Sequence, residues 1–398
     1  MLKKLLIVSR STIFHNKSGG METQLANLIK ALKITYEITV LSTSLTDGQN
    51  INKTEIHDGV TYIFLKGTTP GEYGINLYEN IFWQLPIKRS YNNFGKNFRK
   101  ISAEYFEKNL KNNFNIILSQ SSAANNFKIN KYQKIILIYH GTTLNELKSR
   151  YSGVRSVKDY IRVVFLDFPT LLYEYLVKNT LLFRKTHKIV LVSNLFKKDF
   201  ENQYPFFKNK VVVIENAIDT EKFVLKDKNK NFTVVYFGRI DFEKGIKDII
   251  EVSENVAGVT FKIYGSGTDR REFEALVKNK KTKNLFYYGE VTNTEIASIL
   301  SKSHCFLFLS KRKEGFPMSV LEAMSSGCLV ITTVNLKSIN KLFPYYKVSS
   351  ISEAIKLINT LEKEDKKVIK KQMKLSRDFI KKYYSLEILR KKYEELLK

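Results

Sequence analysis

SKRKEGFPMSVLEAMSSGCLV, residues 310–330, is the segment that decides the predicted fold. It follows an apolar run, HCFLFL, that predicts a buried strand, and it continues with the periodicity of an amphipathic helix. Pro317 suits the first turn of that helix, where its missing N–H is not needed, and Gly327 suits the position just beyond its end. Glu314 is therefore predicted in the loop before the helix, and Glu322 inside the helix.

Backbone N–H groups at the start of this helix, those of Gly315, Phe316, Met318 and Ser319, lack partners within the helix. Together with the positive end of the helix dipole they favour an anion or a sugar hydroxyl. The two glutamates can each accept hydrogen bonds from a pair of hydroxyls, so the segment suits a nucleotide sugar. The alternative is an ordinary strand, turn and amphipathic helix in which Glu322 is solvated.

A second candidate segment, VVYFGRIDFEKG, lies upstream at residues 234–245. Its apolar strand ends in Gly238, where backbone can approach a ligand closely, and Arg239 and Lys244 bring two cations to the same strand end. Cations there would stabilise a diphosphate leaving group as its bond to a sugar breaks. The alternative is that both belong to the general basic surface of a chain with 66 Lys and Arg residues.

The N-terminal half opens with a strand, a glycine loop and a helix. An apolar run at residues 5–9 precedes Gly19 and Gly20, and a helical pattern follows from Met21 to Leu32. This is the first unit of a doubly wound domain, and its loop would face a phosphate or an acceptor. The G-x-G-x-x-G fingerprint is missing, which disfavours NAD, and a plain turn without a ligand is the alternative.

His140 is the best polar candidate in this half. The run KIILIY, residues 134–139, predicts a buried strand that delivers His140 to its carboxyl end. Open α/β sheets bind ligands at that edge. A purely structural role is the alternative for a lone histidine.

The segment with two glutamates resembles the E-x7-E signature of retaining glycosyltransferases of family 4. The similarity runs through EGFP, residues 314–317, and EAMSSG, residues 322–327. It implies that Glu314 holds hydroxyls of the donor sugar and that Glu322 holds the ribose. The segment GRIDFEKG is similar to the family's phosphate-binding loop, which assigns the diphosphate to Arg239 and Lys244, and it precedes the two glutamates as in the family.

Weaker similarities extend the predicted site. The G-x-G turn of Gly265 and Gly267 resembles one whose missing side chains leave room for a nucleoside, and Val291 lies in a loop that resembles the one reading the base. His140 matches a histidine that the family commonly carries beside the donor sugar. The catalytic candidates are His140, Arg239, Lys244 and Glu314. The candidates for binding the nucleotide sugar are Gly19, Gly20, Gly238, Gly265, Gly267, Val291, Gly315, Phe316, Pro317 and Glu322.

The resemblance implies the GT-B fold, with two Rossmann-like doubly wound α/β domains facing a central cleft. Alternating strands and helices independently favour parallel sheets, and 398 residues are many for one core. We predict a first, acceptor-side domain at residues 1–208 and a second, nucleotide-sugar-binding domain at 209–375. Family precedent implies that a final helix at 376–398 crosses back to the first domain.

The net charge of +27 predicts an anionic partner. Residues 82–100 mix aromatic and basic side chains, and there a lipid surface and a buried helix are equally favoured. Residues 154–185 are a second candidate for a lipid surface, but a buried helix pair is favoured there, because Asp159, Asp167 and Glu174 interrupt their basic face. No nucleic-acid-binding motif occurs, so no nucleic-acid partner is predicted.

Composition also predicts the cellular setting. No apolar run is long enough for a signal peptide or a membrane span, so the protein is predicted to be cytoplasmic, either free or bound peripherally to the inner face of the plasma membrane. Cys305 and Cys328 have no metal spacing and are predicted as reduced core thiols. Asp-x-Asp is absent from the sequence, so no metal and no cofactor are predicted beside a UDP- or GDP-sugar donor.

These features predict a metal-independent retaining glycosyltransferase acting on a glycan, lipid-linked or other hydroxyl acceptor in cell-surface polysaccharide or glycoconjugate synthesis. The alternatives are an inactive nucleotide-sugar-binding protein of the same fold and a nucleotide-sugar epimerase. One departure from the family concerns residues 332–340, TTVNLKSIN, which have neither the glycines nor the carboxylate that the family carries there. The loop beside the donor is therefore predicted to be shortened or rebuilt.

Overall fold

The computed structural model contains two largely parallel sheets, and the strands of the first precede those of the second along the chain. It describes residues 2–15, 19–44, 52–66, 91–141, 157–279, 283–312 and 314–398. Of the two tracts with mixed basic and apolar residues, 82–90 and 154–156 lie outside these residues.

The described strands fall into two sets. The first sheet, in the order β3-β4-β2-β1-β5-β6-β7-β8, contains β1 (Lys3–Val8), β2 (Tyr36–Thr43), β3 (Lys53–His57), β4 (Val60–Leu65), β5 (Ile116–Gln120), β6 (Lys134–Tyr139), β7 (Lys188–Leu191) and β8 (Val211–Val213). The second, in the order β11-β10-β9-β12-β13-β14, contains β9 (Thr233–Phe237), β10 (Thr260–Tyr264), β11 (Leu285–Tyr287), β12 (Cys305–Phe308), β13 (Leu329–Thr332) and β14 (Tyr346–Lys347). Only the pairing of β3 with β4 is antiparallel among these strands.

Helices connect the strands. Those in the first half are α1 (Gly20–Leu32), α2 (Tyr91–Tyr105), α3 (Val157–Arg162), α4 (Phe168–Tyr173), α5 (Asn179–Lys185) and α6 (Asn194–Gln203). Those in the second half are α7 (Ile246–Glu254), α8 (Arg270–Lys278), α9 (Asn293–Lys302), α10 (Met318–Ser325), α11 (Ile351–Lys363), α12 (Lys366–Tyr384) and α13 (Leu386–Leu396). A π-helical turn extends α2 at Phe106–Leu110.

Strand β1 shows why the sheets are covered on both faces. Leu5 and Ile7 belong to the core cluster shared with α1, whereas Leu6 and Val8 belong to the cluster around Phe106. Alternate residues of a strand point to opposite faces, so an uninterrupted apolar run requires helices on each side. The predicted doubly wound α/β architecture is confirmed.

The chain crosses between the two halves at positions that differ from the predicted boundaries. Strand β8 pairs with β7, so the first sheet extends beyond residue 208. The predicted crossing helix at 376–398 is divided at Ser385, where α12 ends and α13 follows. Ile380 packs in the second core, whereas Leu389 and Tyr393 pack with α1 in the first. Only α13 therefore lies on the first domain.

The interpretation of residues 154–185 as a buried helix pair is wrong. The described part is a single helical stretch in which two π-helical turns, Val163–Asp167 and Glu174–Lys178, join α3, α4 and α5. Phe165 and Leu176 are among its exposed apolar side chains. One face is held by the first domain, and the apolar side chains on the other face are not covered by any residue that the structure describes.

Glycines allow the loops after β9 and β10 to lie in contact. Gly265 has φ 131°, and a Cβ added there would lie 1.8 Å from the carbonyl oxygen of Gly238. A Cβ on Gly267 would lie 2.5 Å from the carbonyl oxygen of Ile240. The space beside both glycines is thus filled by backbone, which explains why these positions lack side chains.

We expect Gly265→Ala to lower the free energy of unfolding by about 3 kcal/mol or more, because its methyl group would overlap backbone in a conformation that L residues avoid. Urea denaturation would measure the change. Gly141→Ala is the matched control, since no atom of the described residues lies within 4 Å of an added Cβ there. Equal stability of the two variants would contradict this account.

Candidate functional site

Two helix N-termini, one from each domain, face each other across the cleft. Helix α1 begins at Gly20 after β1, and α10 begins at Met318 after β12. A Cβ added to Gly20 would lie 3.9 Å from Cγ of Met318. The carboxyl ends of the two sheets therefore meet, and both helix dipoles present their positive ends to the same space.

Lys244 and Glu314 form an ion pair at the centre of this region. The Nζ atom of Lys244 lies 2.7 Å from Oε1 of Glu314, and the two side chains are only 16% and 14% exposed. The hydroxyl of Ser310 donates to the same oxygen at 2.8 Å. No described residue donates to Oε2, so this oxygen is available to a ligand hydroxyl. The structure thus joins the two motifs that are separated by 70 residues of sequence.

The rebuilt loop after β13 supports this pair. The hydroxyl of Thr333 donates to the carbonyl oxygen of Ser310 at 2.7 Å, and the hydroxyl of Thr332 donates to the carbonyl oxygen of Phe308. The 332–340 loop, which lacks the family's glycines and carboxylate, therefore holds the segment that carries Glu314.

Arg239 points away from the core with 58% of its side chain exposed. Its guanidinium pairs with Asp241 at 3.0 Å, and its carbonyl oxygen accepts a hydrogen bond from the hydroxyl of Tyr236. Asp241 also accepts hydrogen bonds from the backbone N–H and the hydroxyl of Thr268. The loop is thus fixed at its base, while the guanidinium lies at the surface, where an anion can reach it.

Glu322 lies in α10 and is only 4% exposed. Burial raises the pKa of its carboxyl group to about 7. Within the described part of the chain, no hydrogen bond or ion pair reaches this carboxyl group. A buried acceptor without a partner is costly unless a ligand supplies donors, so Glu322 is suited to bind hydroxyls.

The loop before α10 contributes backbone rather than side chains. The ring of Phe316 is buried against Phe343 and Tyr384. A Cβ on Gly315 would lie 2.4 Å from the ring of Phe196, which belongs to α6 of the first domain. The N–H groups of Gly315 and Phe316 donate to none of the described residues, so they are available to an anion. Pro317 has extended backbone and is the residue just before the helix, one position earlier than the first turn that the sequence predicted.

Glu22 fixes the glycine loop of the first domain. Its carboxylate accepts hydrogen bonds from the N–H of Gly19 at 2.8 Å and from the hydroxyl of Ser11 at 2.5 Å. Gly19 is the residue just before α1, so these hydrogen bonds hold the N-terminus of the helix in place.

His140 ends a chain of three hydrogen-bonded side chains. The amide nitrogen of Gln120 donates to the side-chain oxygen of Gln24 at 3.1 Å. The amide oxygen of Gln120 therefore faces His140 and accepts a hydrogen bond from its Nε2–H. Burial lowers the pKa of His140 to about 4, which keeps the ring neutral at physiological pH. Nδ1 is then an unprotonated acceptor, and none of the described residues donates to it.

The remaining candidates lie around the loops after β9 and β10. Gly238 has φ 149°, and its N–H donates to the carbonyl oxygen of Tyr264. The N–H of Gly265 donates to the carbonyl oxygen of Gly289 at 2.6 Å, which places the loop carrying Val291 beside the G-x-G turn. Val291 is half-buried against the second core.

Sequence reasoning missed the residues that hold the candidates in place. Glu22 follows Gly19 by three residues, the spacing of a capping box, and this signal was available. The sequence gives no comparable signal for Ser310, Gln120 and Phe196, because their roles depend on contacts between distant segments. Across the described residues, no three His, Cys, Asp or Glu side chains are grouped so that they could hold a metal ion.

Two family models match the chain one after the other. Residues 18–222, just over half of the chain, match the model described as Glycosyltransferase Family 4. Residues 217–382 match the model described as Glycosyl transferases group 1. The chain belongs to this family of glycosyltransferases.

Curated relatives of this glycosyltransferase are similar over shorter stretches. The alpha-galactosylglucosyldiacylglycerol synthase of Streptococcus pneumoniae is 27% identical over 143 residues, which are 35% of this chain and 36% of that protein. The lipopolysaccharide 1,6-galactosyltransferase of Escherichia coli is 28% identical over 127 residues, 29% of this chain and 34% of that protein. The chain thus spans about a third of the length of these two relatives.

Solved structures agree with the fold over its full length. Sucrose-phosphate synthase from Thermosynechococcus elongatus superposes with a TM-score of 0.75 and 15% identity, covering 99% of this chain and 98% of that one. HepE of Anabaena, crystallised with UDP and glucose, has a TM-score of 0.66 and 13% identity, covering 99% of both chains. These similarities confirm the predicted GT-B fold of the glycosyltransferase.

We expect the buried carboxyl group of Glu322 to reduce stability as the pH rises. The unfolded chain ionises this group near its ordinary pKa of 4.5 and the folded protein near about 7, so the folded state binds more protons in between. The free energy of unfolding of the ligand-free protein should fall across this window and then level off. In the wild type, the free energy of unfolding should fall by about 2–3 kcal/mol for this reason, and in Glu322→Gln this decrease should be absent.

Urea denaturation from pH 4.5 upward measures this dependence. Glu362→Gln, at an exposed position of α11, is the matched control and should keep the wild-type profile. An unchanged profile in Glu322→Gln would contradict the assignment of the buried charge.

Proposed function

We propose that the protein is a retaining glycosyltransferase of family 4 that transfers a sugar from a nucleoside diphosphate sugar to a lipid-linked or other glycan acceptor. The observation that carries this proposal is the ion pair of Lys244 and Glu314, together with the buried carboxyl group of Glu322, to which none of the described residues donates a hydrogen bond. Cations, acceptors and free backbone donors are the groups that a diphosphate linked to two sugars requires.

Each group has a role toward the donor. Oε2 of Glu314 would accept hydrogen bonds from hydroxyls of the sugar, and Glu322 would accept those from the ribose. Lys244 and Arg239 would hold the diphosphate, together with the N–H groups at the start of α10. Nδ1 of His140 would accept a hydrogen bond from a sugar hydroxyl across the cleft.

Transfer requires stabilisation of the leaving group. Negative charge develops on the diphosphate as the bond between the sugar carbon and the phosphate oxygen breaks. Lys244 is mostly shielded from water, so its attraction for that charge is stronger than in solution. The acceptor would approach from the first domain, beside Gly19, Gly20 and His140, on the side that retains the configuration of the sugar.

The relatives support the substrate classes. The name of one describes a glycolipid synthase and that of another a lipopolysaccharide galactosyltransferase, which favours a lipid-linked acceptor and synthesis of a cell-surface glycoconjugate. HepE was crystallised with UDP and UDP-glucose, which favours a UDP-sugar over a GDP-sugar. Metal independence is proposed from the missing Asp-x-Asp pair.

We expect a UDP-sugar to raise the melting temperature of the protein more than the corresponding GDP- or ADP-sugar, because binding to the folded state alone stabilises it. Thermal denaturation with each sugar nucleotide measures the shift. Glu322→Ala should remove the shift. No shift with any of them would contradict donor binding, and a shift without product on lipid-linked or soluble acceptors would indicate a binding protein.

We expect Lys244→Ala to lower kcat for transfer by about a hundredfold, and Arg239→Ala by at least about tenfold, because each removes charge stabilisation from the leaving diphosphate. Product formation under saturating donor measures both. Lys247→Ala is the matched control, since this lysine lies in α7 and is paired with Glu272 at 2.9 Å in a half-exposed ion pair. Unchanged turnover in the Lys244 and Arg239 variants would refute the site.

A further inference from the structure

The helical stretch 157–185 exposes a row of large apolar side chains. We call this row the apolar face. Each member is more than 40% exposed: Val157, Tyr160, Ile161, Phe165, Phe168, Leu172, Tyr173, Leu176, Val177 and Leu181. Most members follow one another at intervals of one, three or four residues, so they form a stripe along the helices rather than scattered positions.

Contacts on the opposite side fix the rotation of the stretch. The hydroxyl of Tyr175 donates to the carbonyl oxygen of Gln203 at 2.9 Å, and the amide of Asn179 donates to the hydroxyl of Tyr204 at 2.9 Å. Phe183 is completely buried. Rotating the stretch to hide the apolar face would break these contacts and expose the ring of Phe183. The exposure is therefore imposed by the fold.

The extent of the apolar face exceeds what isolated proteins expose. The stretch is about 40 Å long at 1.5 Å per residue, and soluble monomers rarely leave continuous apolar patches of such length uncovered. None of the described helices is long and apolar enough to cross a membrane. Among the residues that the structure describes, none covers the apolar face along its length.

Charge distinguishes a lipid surface from a second copy of the chain. Two copies that each carry a net charge of +27 repel one another, whereas an anionic bilayer attracts the same surface. Arg184 is exposed at the end of the stretch, where its guanidinium can reach lipid phosphates. Tyr160 and Tyr173 add rings with a polar tip, which suit the boundary between headgroups and acyl chains.

We propose that the apolar face docks the protein lengthwise on an anionic lipid bilayer, with its side chains inserted at the level of the headgroups. Along the sequence, the stretch lies between His140 at the end of β6 and strand β7. Docking therefore attaches the membrane directly to the first domain, whose strand ends carry the proposed acceptor side. This consequence for the acceptor rests on the proposed function, whereas docking itself requires no catalysis.

Sedimentation with vesicles tests the proposal. The full chain is incubated with vesicles of phosphatidylcholine alone and of equal parts phosphatidylglycerol and phosphatidylcholine. We expect binding to the anionic vesicles and little to the neutral ones. Phe165→Ser combined with Leu176→Ser should lower the bound fraction by about tenfold, because both side chains leave the lipid.

Ile56→Ser combined with Leu342→Ser is the matched control. Both residues are at least 68% exposed, but they lie outside the stretch, in β3 at the far edge of the first sheet and in the second domain. This variant should bind as the wild type does. Absence of wild-type binding, equal binding to both vesicles, or equal loss in both variants would overturn the proposal. A dimer in light scattering that the Phe165 and Leu176 variant dissociates would assign the face to a second copy instead.

Discussion

The ion pair between Lys244 and Glu314 is the interaction on which the candidate site depends. It connects the turn before α7 to the loop before α10, and Ser310 adds a third hydrogen-bonding group. Removing either partner would leave the other charge poorly solvated, which is strongly unfavourable in a largely buried site. In the proposed function, a diphosphate would give Lys244 a second anion, and hydroxyls of the sugar would join the hydroxyl of Ser310 as donors to Glu314.

The elements that form the sheets could be predicted from the sequence because they are continuous apolar runs. Strand β6 occupies the residues of KIILIY, and α10 starts after Pro317 and ends before Gly327. The doubly wound fold and its GT-B class followed from such runs and from the motifs. The limits of the domains could not be predicted in this way. Strand β8 pairs with β7 beyond the predicted boundary at residue 208, and Ser385 divides a helical pattern that has no proline or glycine.

Tertiary contacts decided what the sequence could not show at the site. The motifs placed Glu314, Glu322 and Lys244 in one region, but the pairing of Lys244 with Glu314 depends on how β9 and β12 lie side by side. Gln120 supports His140 from a neighbouring strand and has no local signal. Phe316 carries a motif position, yet its ring belongs to the core. For residues 157–185 burial was favoured over a lipid surface, and that preference was wrong, because amphipathic periodicity gives no information about which surface the helix meets.

The two chain segments that cross between the domains run side by side. Ile218 pairs with Ser385, and its N–H donates to the carbonyl oxygen of Tyr384 at 2.8 Å. The outgoing and returning connections thus form a two-stranded hinge rather than a single flexible linker. Twisting about one covalent bond is suppressed in such a hinge, and the remaining freedom is a rocking of one domain against the other. The width of the cleft can change while the lateral alignment of the two helix N-termini is preserved.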